Sequence, residues 1–223
     1  MDDADLKIAL EKMAALRRVE CFDPRDPESR PNAQQSALFA DIADIITRYV
    51  VSGNQCGKSA SGAKEVSLIF ENQNPYWDTQ AAYPNTPLLL LVIGRVGAQV
   101  EEELWNRKIE PLLTPGCYKK HMTGGVLQKV THLTNGNTIM FMSHHNIKEA
   151  REKAQGYVAH YVWVDEMPSS VSFLIELEMR LIANRGRFLA TFTPLLRNTQ
   201  IKDKVEALTA PIGRKYQWSM LDN

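Results

Sequence analysis

Within the run YVVSGNQCGKSASG, Tyr49 to Gly62, a lysine and a hydroxyl side chain follow a glycine-containing turn. That combination suits a polyphosphate. Its oxygens need converging backbone N–H groups, and glycine lets the main chain come close enough to supply them. A helix beginning at Gly57–Lys58 would add the positive end of its dipole. On this reading Ser52, Gly53, Asn54, Gln55, Cys56, Gly57, Lys58, Ser59 and Ala60 surround the phosphates of ATP. Lys58 would bridge the β- and γ-phosphates, and the Ser59 hydroxyl would coordinate Mg2+. Ser52 stands where the usual phosphate-loop pattern has its first glycine, and Gly53 can supply the flexible turn one residue later.

A phosphate loop alone does not hydrolyse anything. Hydrolysis also needs an aspartate in the Mg2+ shell and a group that polarises the attacking water. The stretch HYVWVDEMP offers both at the end of an apolar run, with Asp165 as the metal-associated carboxylate and Glu166 as the residue that orients water. A glutamate directly after the aspartate resembles the additional-strand class of P-loop ATPases rather than nucleotide kinases or GTPases. The chain has no Asn-Lys-x-Asp motif for guanine, so ATP is the expected nucleotide. In RFLATFTPL, Thr191 and Thr193 end another apolar run, where a hydroxyl could sense the γ-phosphate; threonine is also simply favoured in strands.

The elements that must hold these groups are legible as a pattern. Residues 4–19 place Leu6, Ala9, Leu10, Met13 and Leu16 at helical spacing, and a second helix is predicted from Ala33 to Ile46. TRYVVSG, TPLLLLVIG, AHYVWVDE, GRFLATFTPL and KYQWSML read as strands. GKSASGAKEVSLIFEN, GAQVEEELWNRKIEPLL, KEAREKAQG and SSVSFLIELEMRLIAN read as the helices between them, and Asn135–Gly136 lies between two runs of a hairpin. Unbroken apolar strands alternating with helices imply a mostly parallel sheet covered on both faces. The expected fold is a single RecA-like α/β domain over 1–223, with 1–48 holding the N-terminal helices and 49–223 the P-loop core.

Composition narrows the rest. The 223 residues carry 26 Lys plus Arg against 26 Asp plus Glu, so any contact with nucleic acid must come from local patches rather than overall charge. Cys21, Cys56 and Cys117 show no spacing for zinc or a disulfide framework, and a reducing cytoplasm suits them. The acidic amino terminus is unlike a signal peptide, and the longest apolar run, PLLLLVIG, is too short to span a bilayer, so no membrane role is expected.

The ordered set of motifs resembles the large terminase subunits of tailed bacteriophages, the ATPases that pump DNA into empty capsids. SGNQCGKS is similar to that family's deviant phosphate loop, NPYWD to a segment after the P-loop helix, and IMFMSHHNIKEAREKAQGYVAHYVWVDEMP to the approach to its Asp-Glu strand. LATFTPL is similar to the coupling motif, and SMLDN to the end of the ATPase domain. The resemblance implies double-stranded viral DNA, the portal protein and the small terminase subunit as partners. It also implies a homo-oligomeric ring on the viral procapsid in the host cytoplasm, with the isolated domain monomeric and slow. It further implies an adenine-reading Gln, for which Gln34 and Gln35 are available and Gln35 is preferred. The family's nuclease domain would begin where this chain stops, at Asn223, so the expectation is the ATPase half without nuclease activity.

Two places where relatives carry arginine differ here: the phosphate loop has Asn54 and Gln55, and the approach to the Asp-Glu strand has Gln155–Gly156. Arg151 is the nearest substitute for an arginine finger and Arg95 a rival, with a solvated helix charge the plain alternative for Arg151. His144–His145 read as a polar strand end, Cys56 as a small filler, and Arg185 and Arg187 as either a DNA contact or a solvated turn. The runner-up functions are a helicase-like DNA-repair ATPase, which would need a second lobe, and a nucleotide-gated scaffold without turnover, against which Glu166 argues.

Overall fold

Segments such as LLLVIG and YVWVD are apolar without alternation, so neither of their faces can meet water. In the computed structural model, which describes residues 31–54, 56–97, 100–194 and 199–218, they lie in the middle of an eight-stranded sheet. The strands are β1 (Thr47–Ser52), β2 (Leu89–Gly94), β3 (Tyr118–Thr123), β4 (Val126–His132), β5 (Thr138–Ser143), β6 (Tyr161–Asp165), β7 (Arg187–Phe192) and β8 (Gly213–Trp218). Their order is β3-β4-β5-β2-β6-β7-β1-β8. The six from β5 to β8 are parallel, and β4 and β3 extend the β5 edge antiparallel.

Successive residues along the central strands feed two separate cores. On one face Val50, Val92, Trp163 and Leu189 pack under α1 (Ala33–Ala40), α2 (Lys58–Phe70) and a π-wound helix, Val100–Ile109. On the other, Tyr49, Ile93, Val164 and Ala190 pack under α4 (Ile147–Gln155), α5 (Val171–Met179) and α6 (Thr199–Glu206). A short α3 (Thr79–Ala82) links α2 to β2. Among the described residues no helix is long and apolar enough to cross a membrane.

Several expectations change in detail. The second helix stops at Ala40 rather than Ile46, because carbonyls that a longer helix would use are taken by arginines from the sheet. Arg48 Nη1 donates to Leu38 O at 2.9 Å, and Arg187 donates to Ile42 O at 2.7 Å and Ala43 O at 2.8 Å. The helix expected around Trp105 is π-wound, and its buried residues Val100, Leu104, Trp105 and Ile109 recur at the wider spacing of i→i+5 bonding. The hairpin forms between β4 and β5, with Gly136 at φ 74°, and Asn135 and Asn137 each donate to Phe70 O at 3.0 Å, tying it to the end of α2. β3 and α6 had no counterpart in the sequence reading. The helix expected at 4–19 and the closing Ser219–Asn223 lie outside the described residues.

One buried polar cluster joins α2 to two strands. Glu65, on α2, accepts two bonds from Arg48 of β1 at 2.5 and 2.7 Å, and one from the Tyr161 hydroxyl of β6 at 2.6 Å. All three residues have no exposed surface. Burial alone would lower the Arg48 pKa, but the Glu65 carboxylate outweighs it and holds the guanidinium above its ordinary value. Burial and the same carboxylate push the Tyr161 phenol far up, so it stays a donor. Glycine at 62 lets α2 settle on the sheet, because a Cβ there would lie 2.3 Å from Trp163 Cε2.

Removing one partner of such a pair strands the other charge. Glu65→Ala is expected to cost about 3–5 kcal/mol, and Tyr161→Phe about 1.5–3 kcal/mol for one bond to a charged acceptor. Urea unfolding measures both, and small, equal losses would show that the cluster does not fix α2.

Candidate nucleotide site

The phosphate loop leaves β1 at Ser52 and turns into α2 through Gly57, whose φ of 73° falls in the left-handed region that glycine enters without strain. Among the described residues no side chain caps α2, which leaves its first N–H groups available to an anion. Lys58 is 5% exposed, and its ammonium donates to Gly53 O at 2.9 Å. The lysine therefore already spans the loop from within. Cys56 Sγ lies 3.5 Å from Asn54 O and is buried, in keeping with a small filler. Gly53, Asn54 and Ala60 are exposed and Ser59 is half-buried, while Gln55 lies outside the described residues.

Asp165 ends β6, two strands from β1, and β7 stands between them. Register puts Thr191 of β7 opposite both Val50 and Asp165. Its hydroxyl donates to Asp165 Oδ1 at 2.8 Å and accepts from Trp163 Nε1 at 2.9 Å. Two residues on, Thr193 Oγ1 donates to Asn54 Oδ1 at 3.0 Å. The two threonines thus touch the acidic strand and the phosphate loop respectively. Ser59 also lies close enough to act on the Asp165 carboxylate, so the start of α2 and the acidic strand end adjoin.

Burial raises the Asp165 pKa, against the Ser59 hydroxyl, the hydrogen bond from Thr191 and the charges of Lys108 and Lys58. Glu166 is raised by burial and then by neighbouring Asp165, with Lys58, the Thr193 main chain and Arg95 acting the other way. The Glu166 backbone has φ 66°, which costs a non-glycine residue about 1–2 kcal/mol. Its N–H donates to Thr191 O at 2.8 Å, which helps to hold that turn. A hydroxyl beside a carboxylate is an oxygen-only donor set, which suits a hard cation such as Mg2+. Ser59 and Asp165 fit that role.

The remaining candidates are placed as follows. Gln35 is buried beside α2: its Nε2 lies 3.3 Å from Ser61 Oγ, and its Oε1 accepts Asn32 N–H at 3.1 Å in a capping box. Each end of the amide keeps one further bonding position, enough to read a base edge. Arg151 lies on α4, across the sheet from α2, and its Nε is buried without a partner among the described residues. Arg95 is exposed just after β2, close enough to act electrostatically on Glu166 and His144. Arg187 is not a solvated turn: it braces the Ile42 and Ala43 carbonyls and lies 5.4 Å over the Trp77 ring. His144 follows β5, gives its main-chain N–H to Gly94 O at 2.9 Å, and its buried ring reaches the main chain of Asp165 and Glu166. Burial lowers its pKa, so the ring is neutral near pH 7. Its place just after β5 agrees with the polar strand end expected from the sequence, whereas its nearness to β6 depends on strand order, which no spacing along the chain encodes.

A cleft of about 390 Å3 opens beside Ser52 and Gly53 on the α6 side, walled by Met167, Phe192 and Trp218. It continues the loop's surface toward the end of β8.

No protein-family model and no curated protein matches this chain. Among solved structures it is similar to a mutant ATPase domain of the large terminase of Thermus phage P74-26, with 16% identity, a TM-score of 0.59, and coverage of 86% of this chain and 83% of that one. It is also similar to the large terminase of a second thermophilic bacteriophage in complex with ADP, at 13% identity and TM-score 0.61 over 86% of this chain. That second terminase with ATP-γ-S gives 14% identity and TM-score 0.58, again over 86% of this chain. This chain spans 46% and 45% of the length of those two nucleotide complexes. At such identities the likeness is one of architecture: the chain has the RecA-like P-loop fold of large terminase ATPase domains.

Proposed function

We propose that this chain is the ATPase part of a viral DNA-packaging motor, hydrolysing ATP to move double-stranded DNA into a capsid. The observation that carries the ATPase reading is the meeting of Lys58, Ser59, Asp165 and Glu166 at one end of the sheet, tied together through Thr191 and Thr193. The packaging role rests on the shared fold and on the motif order in the sequence.

Lys58 exchanges the Gly53 carbonyl for phosphate oxygens, so its charge enters a loop already shaped around it. Ser59 and Asp165 would hold Mg2+, which offsets the charge building on the phosphoryl group when bound. Glu166 takes up and orients the attacking water; its raised pKa reflects a carboxylate kept in a poorly hydrated place, where it polarises more strongly. Thr193 senses the phosphate end of the loop through Asn54, and Thr191 carries the same strand to Asp165. Gln35, beside the start of α2, reads adenine. Arg151 acts in the neighbouring subunit of a ring, since α4 packs on the face of the sheet away from α2, the helix that carries Lys58 and Ser59. The DNA is held by small basic patches from several subunits, and portal and small terminase subunits are the partners of the assembled motor.

Glu166→Ala is expected to keep nucleotide binding and lower turnover by about 10²–10⁴-fold, whereas Lys58→Ala loses binding itself. Steady-state phosphate release beside binding of a fluorescent ATP analogue separates the two; wild-type binding without turnover, even with portal and DNA, would make the chain a nucleotide-gated scaffold. Arg151→Ala is expected to lower turnover by about 10³–10⁵-fold in the assembled ring and to leave the isolated chain unaffected. An unchanged ring removes Arg151 from the site.

A further inference from the structure

Glu71 ends α2 at its C-cap, one helix length of about 20 Å from Lys58 and the nucleotide site. Two other segments of the chain close on its carboxylate. Thr114 gives its main-chain N–H to Glu71 Oε1 at 2.6 Å, and Cys117, just before β3, brings its Sγ to 3.5 Å from the same oxygen. His132, the last residue of β4, completes the group. One ring nitrogen of His132, the Cys117 sulfur and a Glu71 oxygen all lie within 4.8 Å of one another, and all three side chains are half-buried. Among the described residues no other three His, Cys, Asp or Glu side chains converge in this way.

Thiolate, imidazole and carboxylate are the three kinds of ligand that zinc takes in proteins. The separation fits as well. Ligands about 2.3 and 2.0 Å from a tetrahedral zinc stand about 3.5 Å apart, which is the distance between Cys117 Sγ and Glu71 Oε1. From 4.8 Å or less, the ring nitrogen has to close by little more than about 1 Å. The Thr114 N–H orients the carboxylate from outside the group, as a supporting bond to a metal ligand does. The His132 ring is held in place too: it lies T-shaped to Phe70 at 5.3 Å, and its Nδ1 accepts the Thr134 and Asn135 main-chain N–H at 3.2 and 3.3 Å. Both of those bonds are long, so a metal at the ring displaces little.

We propose that Glu71, Cys117 and His132 form a zinc site, with water as the fourth ligand, which clamps the end of α2 to the β3–β4 edge of the sheet. On binding, the thiol releases its proton to solvent, and sulfur, ring nitrogen and carboxylate oxygen each give a lone pair to the ion. With one open position and half-buried ligands, the ion exchanges with solvent. The cysteine spacing that speaks against zinc in the sequence does not detect this group, because 46 residues and a strand connection lie between Glu71 and Cys117. The Mg2+ place at Ser59 and Asp165 offers oxygen alone, so a thiolate signal distinguishes the two.

The test titrates the untagged chain, stripped of metal with EDTA and dialysed, with Co2+ as a spectroscopic stand-in for Zn2+. The expected result is one equivalent bound with thiolate-to-Co2+ charge-transfer absorption, which Zn2+ abolishes, and a thermal unfolding midpoint that rises with added Zn2+. Cys117→Ser is expected to lose the charge-transfer band. His132→Gln, and Glu71→Gln, which can still accept from Thr114, are each expected to bind at least about 10- to 100-fold more weakly. In EDTA all three should unfold near the wild-type midpoint, so that only the rise with Zn2+ is lost. A wild type without the band overturns the proposal. So does a band that survives Cys117→Ser, which places the ion on another cysteine, or wild-type affinity in either Glu71→Gln or His132→Gln.

Discussion

The carboxylate of Glu65 is the fixed point of the molecule. It sits in a place without water, and only the bidentate Arg48 guanidinium and the Tyr161 hydroxyl make it tolerable there. Those two partners come from the strand that launches the phosphate loop and the strand that ends in the acidic pair. The helix carrying Lys58 and Ser59 cannot slide without breaking a buried ion pair to β1 or a buried hydrogen bond to β6. Gly62 against Trp163 removes the remaining clearance. A site split between β1 and β6 therefore inherits its geometry from a cluster that touches no substrate.

β7 ties the two halves of that frame together. Placed between β1 and β6, it offers Thr191 to Asp165 and Thr193 to Asn54, while its carbonyl at Thr191 receives the Glu166 N–H. The loop and the carboxylates thus both bond to one strand. Trp163 extends the chain of bonds inward from Thr191 to the face under α2. Strained backbone at Glu166 belongs to the same design: the turn that aims the side chain is held from β7, not by the residue's own preference.

Much of this was legible in the sequence because it depends on residue type and on runs without alternation. The strands β1, β2, β6 and β7 announce themselves by apolar continuity, and Lys58, Ser59, Asp165 and Glu166 by chemistry at strand ends. β3 escaped because YKKHMT is an edge strand with little apolar content, and α6 because only Ile201 and Val205 are buried on it. The early end of α1 was invisible for a different reason: the arginines that take its carbonyls come from β1 and β7, the second of them more than a hundred residues away. Gln35 combines a helix cap with a contact to Ser61, a double duty no single-residue preference could reveal. His144 is likewise a product of strand order, not of spacing.

The most direct measurement is a crystal structure of the chain with Mg2+ and a non-hydrolysable ATP analogue. The triphosphate should lie along the loop with Lys58 Nζ moved from Gly53 O to the phosphate oxygens, the metal between Ser59 and Asp165, and Glu166 facing the γ-phosphate. A nucleotide bound elsewhere on the sheet, with Lys58 still on Gly53 O, would contradict the account.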